Sequence, residues 1–412
     1  MKCRICSSKN TEMFLSLGMQ PHCNNFLKKE QLSEKEFLYP LDVYYCHNCS
    51  LVQIEYTVPA KVMFSNYLYV SGTTKTLSEH FNKSTKRIVE KFNLKKDDLV
   101  VDIGSNDGTW LKYFKQAGIR TLGVEPAKNI VEIATRNGIE TINDFFSETV
   151  ALQILKEKGS ASVITAAGVF FHLENLHSVV KGISKLLSEK GVLVIQAIYL
   201  LKMIEKTAFD NIYHEHLCYY TIKPLEVLFS MYGLEIFDAD VIDIHGGSLE
   251  LFVGKKGTHP VKDSVKNLKE IEKNKGMYDI NTYYTFAERV GIIKNKLIGI
   301  LTNLKSKNKK IATYGAPAKG TTLLNYCGIG TNYIDFAIEK NPLKVGLYIP
   351  GVHIPIILED RSIKFDYYLV LPWNFLEEFL KKEKDLINEG IGFIVPIPEP
   401  KIIDKTNINE YI

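Results

Sequence analysis

Leu99-Val100-Val101-Asp102-Ile103-Gly104-Ser105-Asn106-Asp107-Gly108 decides the fold of this chain. Aliphatic residues run up to Asp102 and glycines then punctuate a turn, the pattern of a buried strand that ends at a ligand before a helix begins. Gly104 and Gly108 admit backbone geometry and close approaches that a Cβ blocks. Asn106 is one of the few non-glycine residues that tolerate a left-handed turn. The next apolar run, Arg120-Thr121-Leu122-Gly123-Val124-Glu125-Pro126, ends in an acid. It lies roughly twenty residues on, the interval at which α/β folds hold a ribose. The dinucleotide pattern G-x-G-x-x-G fails, because Ser105 and Asn106 follow Gly104 where a second glycine is needed. An NAD site is disfavoured.

Working downstream, Glu140-Thr141-Ile142 reads as a strand that ends in Asn143-Asp144-Phe145, where Asp144 and Phe145 suit an adenine amino group and ring. The strand Ala161–Ala167 exits into Gly168-Val169-Phe170-Phe171-His172, which brings Gly168 and His172 to the ligand edge of the sheet. Gly191 to Ala197, continued by Ile198-Tyr199-Leu200, is expected to complete that sheet. Tyr213-His214-Glu215-His216 then concentrates proton-handling groups in one short stretch. His216 takes a proton near neutral pH, Glu215 orients or charge-tunes an imidazole, and Tyr213 donates to a developing oxyanion. Two rival readings are a metal site from His214 and His216 on one strand face and a purely structural aromatic cluster.

The chain has 412 residues, too many for one ordinary core, so two or three domains are expected. Its 51 basic and 47 acidic residues nearly balance at +4, which gives no global field for nucleic acid or a membrane surface. No apolar run is long enough to span a bilayer, and Met-Lys-Cys-Arg does not begin a signal peptide, so a cytoplasmic location is expected. Cys3-x-x-Cys6 and Cys46-x-x-Cys49 form two knuckles of the zinc-ribbon type. Four thiolates close a tetrahedral site and leave no place for a reactive water, so the zinc is structural. Between the knuckles, Leu17 to Phe26 reads as a turn-rich stretch that lines a ligand site. Phe64 to Thr74, with Tyr67 and Tyr69, serves equally as core and cap or as part of a site. A helix of about Leu77 to Phe92 follows.

Residues 262–308 read as two Lys-rich helices. Lys310 to Thr322 then repeats the strand, glycine turn and helix, and Tyr333 to Glu339 supplies a second strand ending in an acid. Gly315 and the amides at the helix start, with Lys319 beside them, suit a diphosphate. Phe365 to Pro372 and Ile391 to Pro396 are the remaining strands.

The D-x-G-x-x-x-G stretch with its strand-end acid resembles the first two motifs of class I S-adenosylmethionine-dependent methyltransferases. That resemblance implies that Gly104, Ser105, Asn106, Asp107 and Gly108 face the methionine part and the ribose. Glu125, beside Pro126, would accept from the ribose hydroxyls. Together with the cysteine knuckles, Tyr213-His214-Glu215-His216, His245-Gly246-Gly247-Ser248-Leu249, Asn341-Pro342-x-Lys344-x-Gly346 and Pro350-Gly351-x-His353-Ile354-Pro355, the chain is similar to the three-domain sugar C-methyltransferases along almost its whole length.

The implied architecture is α/β. A zinc-binding domain (1–75) precedes a class I methyltransferase domain with a Rossmann-like fold (76–255), and a C-terminal Rossmann-like nucleotide-sugar domain (256–412) follows. The implied reaction is methylation of C3 in a nucleotide-diphosphate 4-keto-6-deoxy sugar. Tyr67, His172, Tyr213, Glu215 and His216 correspond to the active site, with His216 as base and Tyr213 or His172 stabilising the enolate. Tyr67, Gly315, Lys319 and Lys344 would touch the sugar nucleotide. The cofactors are S-adenosylmethionine and structural Zn2+; neither nucleic acid nor membrane is a partner, and the oligomeric state is left open. The family pattern more often has Asn at Gly168, an acid at Gln196 and Asp at Glu339. An epimerase using the same enolate, or a non-catalytic zinc-ribbon scaffold, are the alternatives.

Overall fold

In a computed structural model, residues 1–59, 63, 70–73, 75–244 and 246–412 are described. Tyr67 and His245 lie outside the described residues. The cysteine knuckles sit at one end of an antiparallel sheet made of β1 (Thr11–Pro21), β2 (Leu38–Cys46) and β3 (Val52–Ile54). The strand β1 corrects the expectation of a turn from Leu17. Met19, Gln20 and Pro21 pair with Pro40, Tyr39 and Leu38, and an irregularity at Ser16/Met19 absorbs Leu17-Gly18, with Gly18 at φ +75°. The chain leaves the ladder only at His22.

The helix Lys75–Lys91 follows, burying Leu77, Phe81 and Ile88 on one face. Phe81 stacks on Trp110 with ring centroids 4.9 Å apart, a pairing that contributes about 1 kcal/mol beyond the area it buries. Beneath that helix lies a seven-stranded sheet. Its strands are β4 (Leu99–Ile103), β5 (Arg120–Val124), β6 (Thr141–Ile142), β7 (Ala161–Ala167), β8 (Leu187–Ile198), β10 (Leu234–Ile242) and β11 (Ser248–Lys255). Between β8 and β10, β9 (Cys218–Tyr219) crosses to the first sheet and pairs with β3, tying the two units together.

The order β10-β11-β8-β7-β4-β5-β6 is parallel from β8 to β6 and antiparallel at β8/β11 and β11/β10. This is the class I methyltransferase arrangement. The strand order reverses at β4, whose neighbours are β5 and β7, so a crevice opens beyond its C-terminal end. Of the expected continuation, Ile198 belongs to β8 and pairs with Ser248, but Tyr199 makes only an isolated bridge to Tyr220 and Leu200 begins the helix Leu200–Glu205, and the β10/β11 hairpin closes that side.

Helices Asp263–Asn274 and Ile280–Ser306 lead to the third unit. The longer helix buries Tyr283, Phe286, Val290, Ile293, Leu297, Leu301 and Leu304, steps of three and four that make a single apolar stripe. Its Tyr283 packs on Phe14 and Tyr45 of the first sheet, each at 5.1 Å. Six strands follow: β12 (Ile311–Tyr314), β13 (Phe336–Glu339), β14 (Ile356–Leu358), β15 (Tyr367–Val370), β16 (Gly392–Val395) and β17 (Lys401–Ile403). They lie in the order β14-β13-β12-β15-β16-β17, with β17 alone antiparallel to its neighbour and a second switch point at β12. No helix among the described residues is long and apolar enough to cross a membrane.

Candidate active site

At the end of β4, Gly104 adopts φ +66°, and a Cβ there would stand 2.2 Å from Val169 Cγ2. Only glycine fits. Asn106 takes the expected left-handed conformation, φ +48°, and Gly108 follows at φ +77° immediately before the helix Thr109–Gln116. The Asn106 N–H donates to Glu125 Oε2 at 3.0 Å and the Ala127 N–H to Oε1 at 2.9 Å. Burial pushes the Glu125 carboxyl up, and these two amides oppose the shift. Asp107 accepts from Thr109 Oγ1 at 2.6 Å and from the Gly72 N–H at 3.0 Å, while Asn106 Oδ1 accepts from the Ser71 N–H at 2.8 Å. A strap at residues 70–73 is thereby fastened over the turn.

Ser105 and Trp110 line the resulting cleft, and Ser105 Oγ and Trp110 Nε1 are buried there with no hydrogen-bond partner among the described residues. Two unsatisfied polar atoms lining one cleft fit a polar ligand or water there. Deeper in, Asp102 accepts from Thr165 Oγ1 at 2.6 Å, and burial pushes its carboxyl up to about 7. Pro126 lies beside Glu125, both carbonyls being held by Asn143 Nδ2 at 2.9 and 3.0 Å. Gly168, at φ +67°, donates its N–H to the Gln196 carbonyl at 2.8 Å. Asp144 and Phe145 stand exposed after β6, at the outer end of the same edge. The Gln196 side chain links His80 (3.0 Å) to Glu250 (2.9 Å), whose carboxylate also pairs with Arg87. An amide at position 196 meets that carboxylate without like-charge repulsion.

The second half of the site is the loop Tyr213–His216. His216 Nδ1 donates to the Asn211 carbonyl at 2.7 Å, and His172 Nδ1 donates to the Glu215 carbonyl. Carbonyl oxygens only accept, so each Nδ1 carries the hydrogen and each neutral ring has its lone pair on Nε2. The two rings lie 5.1 Å apart, and the Tyr213 ring packs on His216 at 3.9 Å. Burial holds His172 below the ordinary imidazole range, partly offset by Glu215.

His214 departs from this group. Its Nε2 reaches the Pro40 carbonyl at 3.3 Å beneath Tyr39, and burial lowers its pKa to about 4. The backbone turns at His214-Glu215 instead of running as a strand. The rival metal pair His214/His216 is therefore not formed.

Glu215 is buried and accepts from His22 Nε2 at 3.0 Å and Asn24 Nδ2 at 2.6 Å, both from the loop that follows β1. Only the later part of the expected turn-rich stretch, from His22, is a loop, and its two partnerships with Glu215 could not be read from the sequence: they span 193 and 191 residues. From the third unit, Lys344 Nζ donates to the Ala316 carbonyl at 2.8 Å and sits 4.7 Å from the centre of the Phe26 ring. Lys319 faces Asn374 at 2.6 Å, buried Asp210 at 3.7 Å and the Trp373 ring. Gly315 turns at φ +80° after β12, but the neighbouring Ala316 N–H already donates to Glu339 at 3.1 Å.

In the first unit, the sulfurs of Cys3, Cys6, Cys46 and Cys49 all lie within 4.8 Å of one another. The Cys3/Cys49 and Cys6/Cys46 pairs stand 3.5 and 3.6 Å apart, close to the ~3.8 Å edge of a tetrahedron with Zn–S bonds of ~2.3 Å. A hydrogen bond from Cys49 holds Cys3 down to about 5, while burial pushes Cys6 up to about 11. Without a cation these thiols divide the charge unevenly; a zinc ion lets all four ionise. The donor set fits structural zinc.

Comparison with known proteins agrees with this division. Residues 3–64 match a family model described as "Putative zinc binding domain", residues 75–239 one described as "Methyltransferase domain", and residues 243–398 one described as "C-methyltransferase C-terminal domain". The C-methyltransferase NovU of Streptomyces niveus is 35% identical over 98% of this chain and 96% of its own. Among solved structures, a S-adenosylmethionine-dependent methyltransferase from Clostridium acetobutylicum is 11% identical, covering 44% of this chain and 92% of its own, with a TM-score of 0.35. Magnesium protoporphyrin IX methyltransferase from Synechocystis, with bound SAM, is 12% identical, covering 43% and 79%, with a TM-score of 0.33. At such scores the fold assignment rests on strand order, not on these two. The three matched segments and the relative aligned from end to end show that the chain belongs to the three-domain C-methyltransferases, built from a zinc-binding domain, a class I methyltransferase domain and a C-methyltransferase C-terminal domain.

Proposed function

We propose that this protein uses S-adenosylmethionine to methylate C3, the carbon α to the C4 ketone, of a nucleotide-diphosphate 4-keto-6-deoxy sugar. The observation that carries the proposal is the pair of imidazoles whose Nδ1 hydrogens are tied to backbone carbonyls, beside a tyrosine, with His172 in the turn that follows β7, whose last residue, Ala167, lines the cofactor cleft. A carbon is not nucleophilic until a proton next to a carbonyl is removed, and His216 Nε2 is the base for that step. The charge moves to the C4 oxygen, which needs a hydrogen-bond donor. Tyr213 has a hydroxyl hydrogen to give; His172, kept neutral by burial, has none on Nε2, so the enolate role falls to Tyr213.

Gly104 to Gly108, Glu125, Pro126, Asp144, Phe145 and Gly168 are the proposed cofactor contacts, with the unpaired Ser105 hydroxyl among them. When bound, S-adenosylmethionine supplies the electrophilic methyl group. Gly315, Lys319 and Lys344 are assigned to the sugar nucleotide; Lys319 would exchange Asn374 and Asp210 for phosphate oxygens. Tyr67 is assigned from the resemblance. The working boundaries are 1–75, 76–255 and 256–412, and a reducing cytoplasm suits the thiolate zinc site.

The test is product mass after incubation with S-adenosylmethionine and a panel of nucleotide 4-keto-6-deoxy sugars. Gain of one methyl on carbon in at least one sugar is expected. Methylation at oxygen or nitrogen would overturn the proposal, as would a changed C3 configuration without methyl gain, which marks an epimerase.

A further inference from the structure

Glu215 is the buried carboxylate of the reacting loop, and its donors His22 and Asn24 come from another domain. His22 Nε2 and Asn24 Nδ2 both address Oε1, with the Cys23 thiol 3.7 Å from the same atom. A carboxylate oxygen only accepts, so His22 carries its hydrogen on Nε2. The loop is itself pinned: Thr321 Oγ1 donates to the Cys23 carbonyl at 3.1 Å, and Leu27 bridges to Tyr348. Among the described residues, the titratable and charged neighbours of Glu215 include His22 and Cys23 from that loop, His172 from the turn after β7, His214 on its own loop and Lys344 from the third unit.

The donor atoms of His22, Cys23 and Glu215 lie within 4.8 Å of one another, which raises the possibility of a second metal. The surroundings speak against it. The Cys23 thiol is pushed well above its ordinary range by burial and then by Glu215, Asn24 already occupies the shared oxygen, and the Lys344 ammonium faces the same cluster. Among the described residues, the groups around Glu215 Oε1 suit a hydrogen-bonded anion and not a cation.

We propose that His22 and Asn24 are positioning residues, which hold the Glu215 carboxylate as an oriented anion so that its backbone and its charge together fix His172 in the reacting loop. The link is short. The Glu215 carbonyl holds His172 Nδ1–H, and the next peptide leads to His216. Burial alone would push Glu215 up; the His22 hydrogen bond, the favourable field of the neighbouring imidazoles and the Asn24 amide outweigh it and keep the carboxyl below its usual range. Loss of His22 lets Glu215 take a proton, and His172 loses the anion that raises its basicity. This role rests on the reading of Tyr213–His216 as the reacting loop.

The test is histidine-selective NMR titration of the full-length zinc-loaded protein without cofactor or sugar, in wild type, His22→Ala, His22→Gln, Asn24→Ala and Glu215→Gln. His22→Ala is expected to lower the His172 midpoint by about one pH unit. His22→Gln, which keeps a donor, should recover most of it, and Glu215→Gln should match the His22→Ala shift. If His22→Ala does not fold, Asn24→Ala must give a shift of the same sign. An unchanged His172 midpoint in a folded, zinc-loaded variant overturns the proposal. Turnover on a sugar that wild type methylates should fall about tenfold in His22→Ala with S-adenosylmethionine affinity unchanged, and equal turnover would also overturn it. If wild type methylates no sugar, the substrate reading fails, while the titration still decides the role of His22.

Discussion

His214 and His216 have the same side chain two residues apart, and packing gives them opposite characters. His216 faces Tyr213 and His172, whereas His214 is buried under Tyr39, and its Nδ1 has no hydrogen-bond partner among the described residues. Because burial lowers the His214 pKa from 6.5 to about 4, the unfolded chain binds the proton first. The stabilisation is present above pH 6.5 and is lost as pH falls to about 4, at a cost of about 3 kcal/mol. Denaturant unfolding of wild type and His214→Gln across that window should show a shallower acid decline in the variant; parallel curves would show that His214 does not titrate this way. His216 is proposed as base on its residue type and its close neighbours Tyr213 and Glu215, both of which the sequence displays. The role of His22 was not legible there, since it depends on a loop brought to Glu215 by folding.

At the scale of elements, the turn after β4 is held by contacts as well as by chemistry. Gly104→Ala combines a positive φ with a Cβ 2.2 Å from Val169 Cγ2, and should cost about 2 kcal/mol. It should also weaken S-adenosylmethionine binding. Adding Val169→Ala relieves the contact and should restore part of the stability in a denaturant titration; no recovery would place the whole cost in the backbone. The turn was legible because glycine spacing and an apolar run are local signals. The β10/β11 hairpin was not. Ser248 to Gly254 is buried at every position, so the alternation that marks a half-exposed strand is missing. The end of β1 was misread for a related reason: a bulge at Leu17-Gly18 breaks its period, and only pairing with β2 shows that the strand resumes.

Across the whole molecule, the reacting loop lies where three sheets converge. The first contributes His22 and Asn24, the second His172, Tyr213, Glu215 and His216, and the third Lys344. Trp373 of the third unit also donates to buried Asp210 at 2.6 Å, one residue before the Asn211 carbonyl that orients His216. Domain order and the cysteine site could be read from motifs, but this convergence could not, because it depends on how separate cores pack.

The central claim is that His216 removes a proton from carbon, and solvent exchange reports that step without the methyl donor. Wild-type protein, incubated in deuterated buffer with a sugar it methylates but no S-adenosylmethionine, should incorporate one deuterium at C3. His216→Asn, still folded and zinc-loaded, should slow the exchange at least ~100-fold. Exchange at the wild-type rate in His216→Asn would contradict the account.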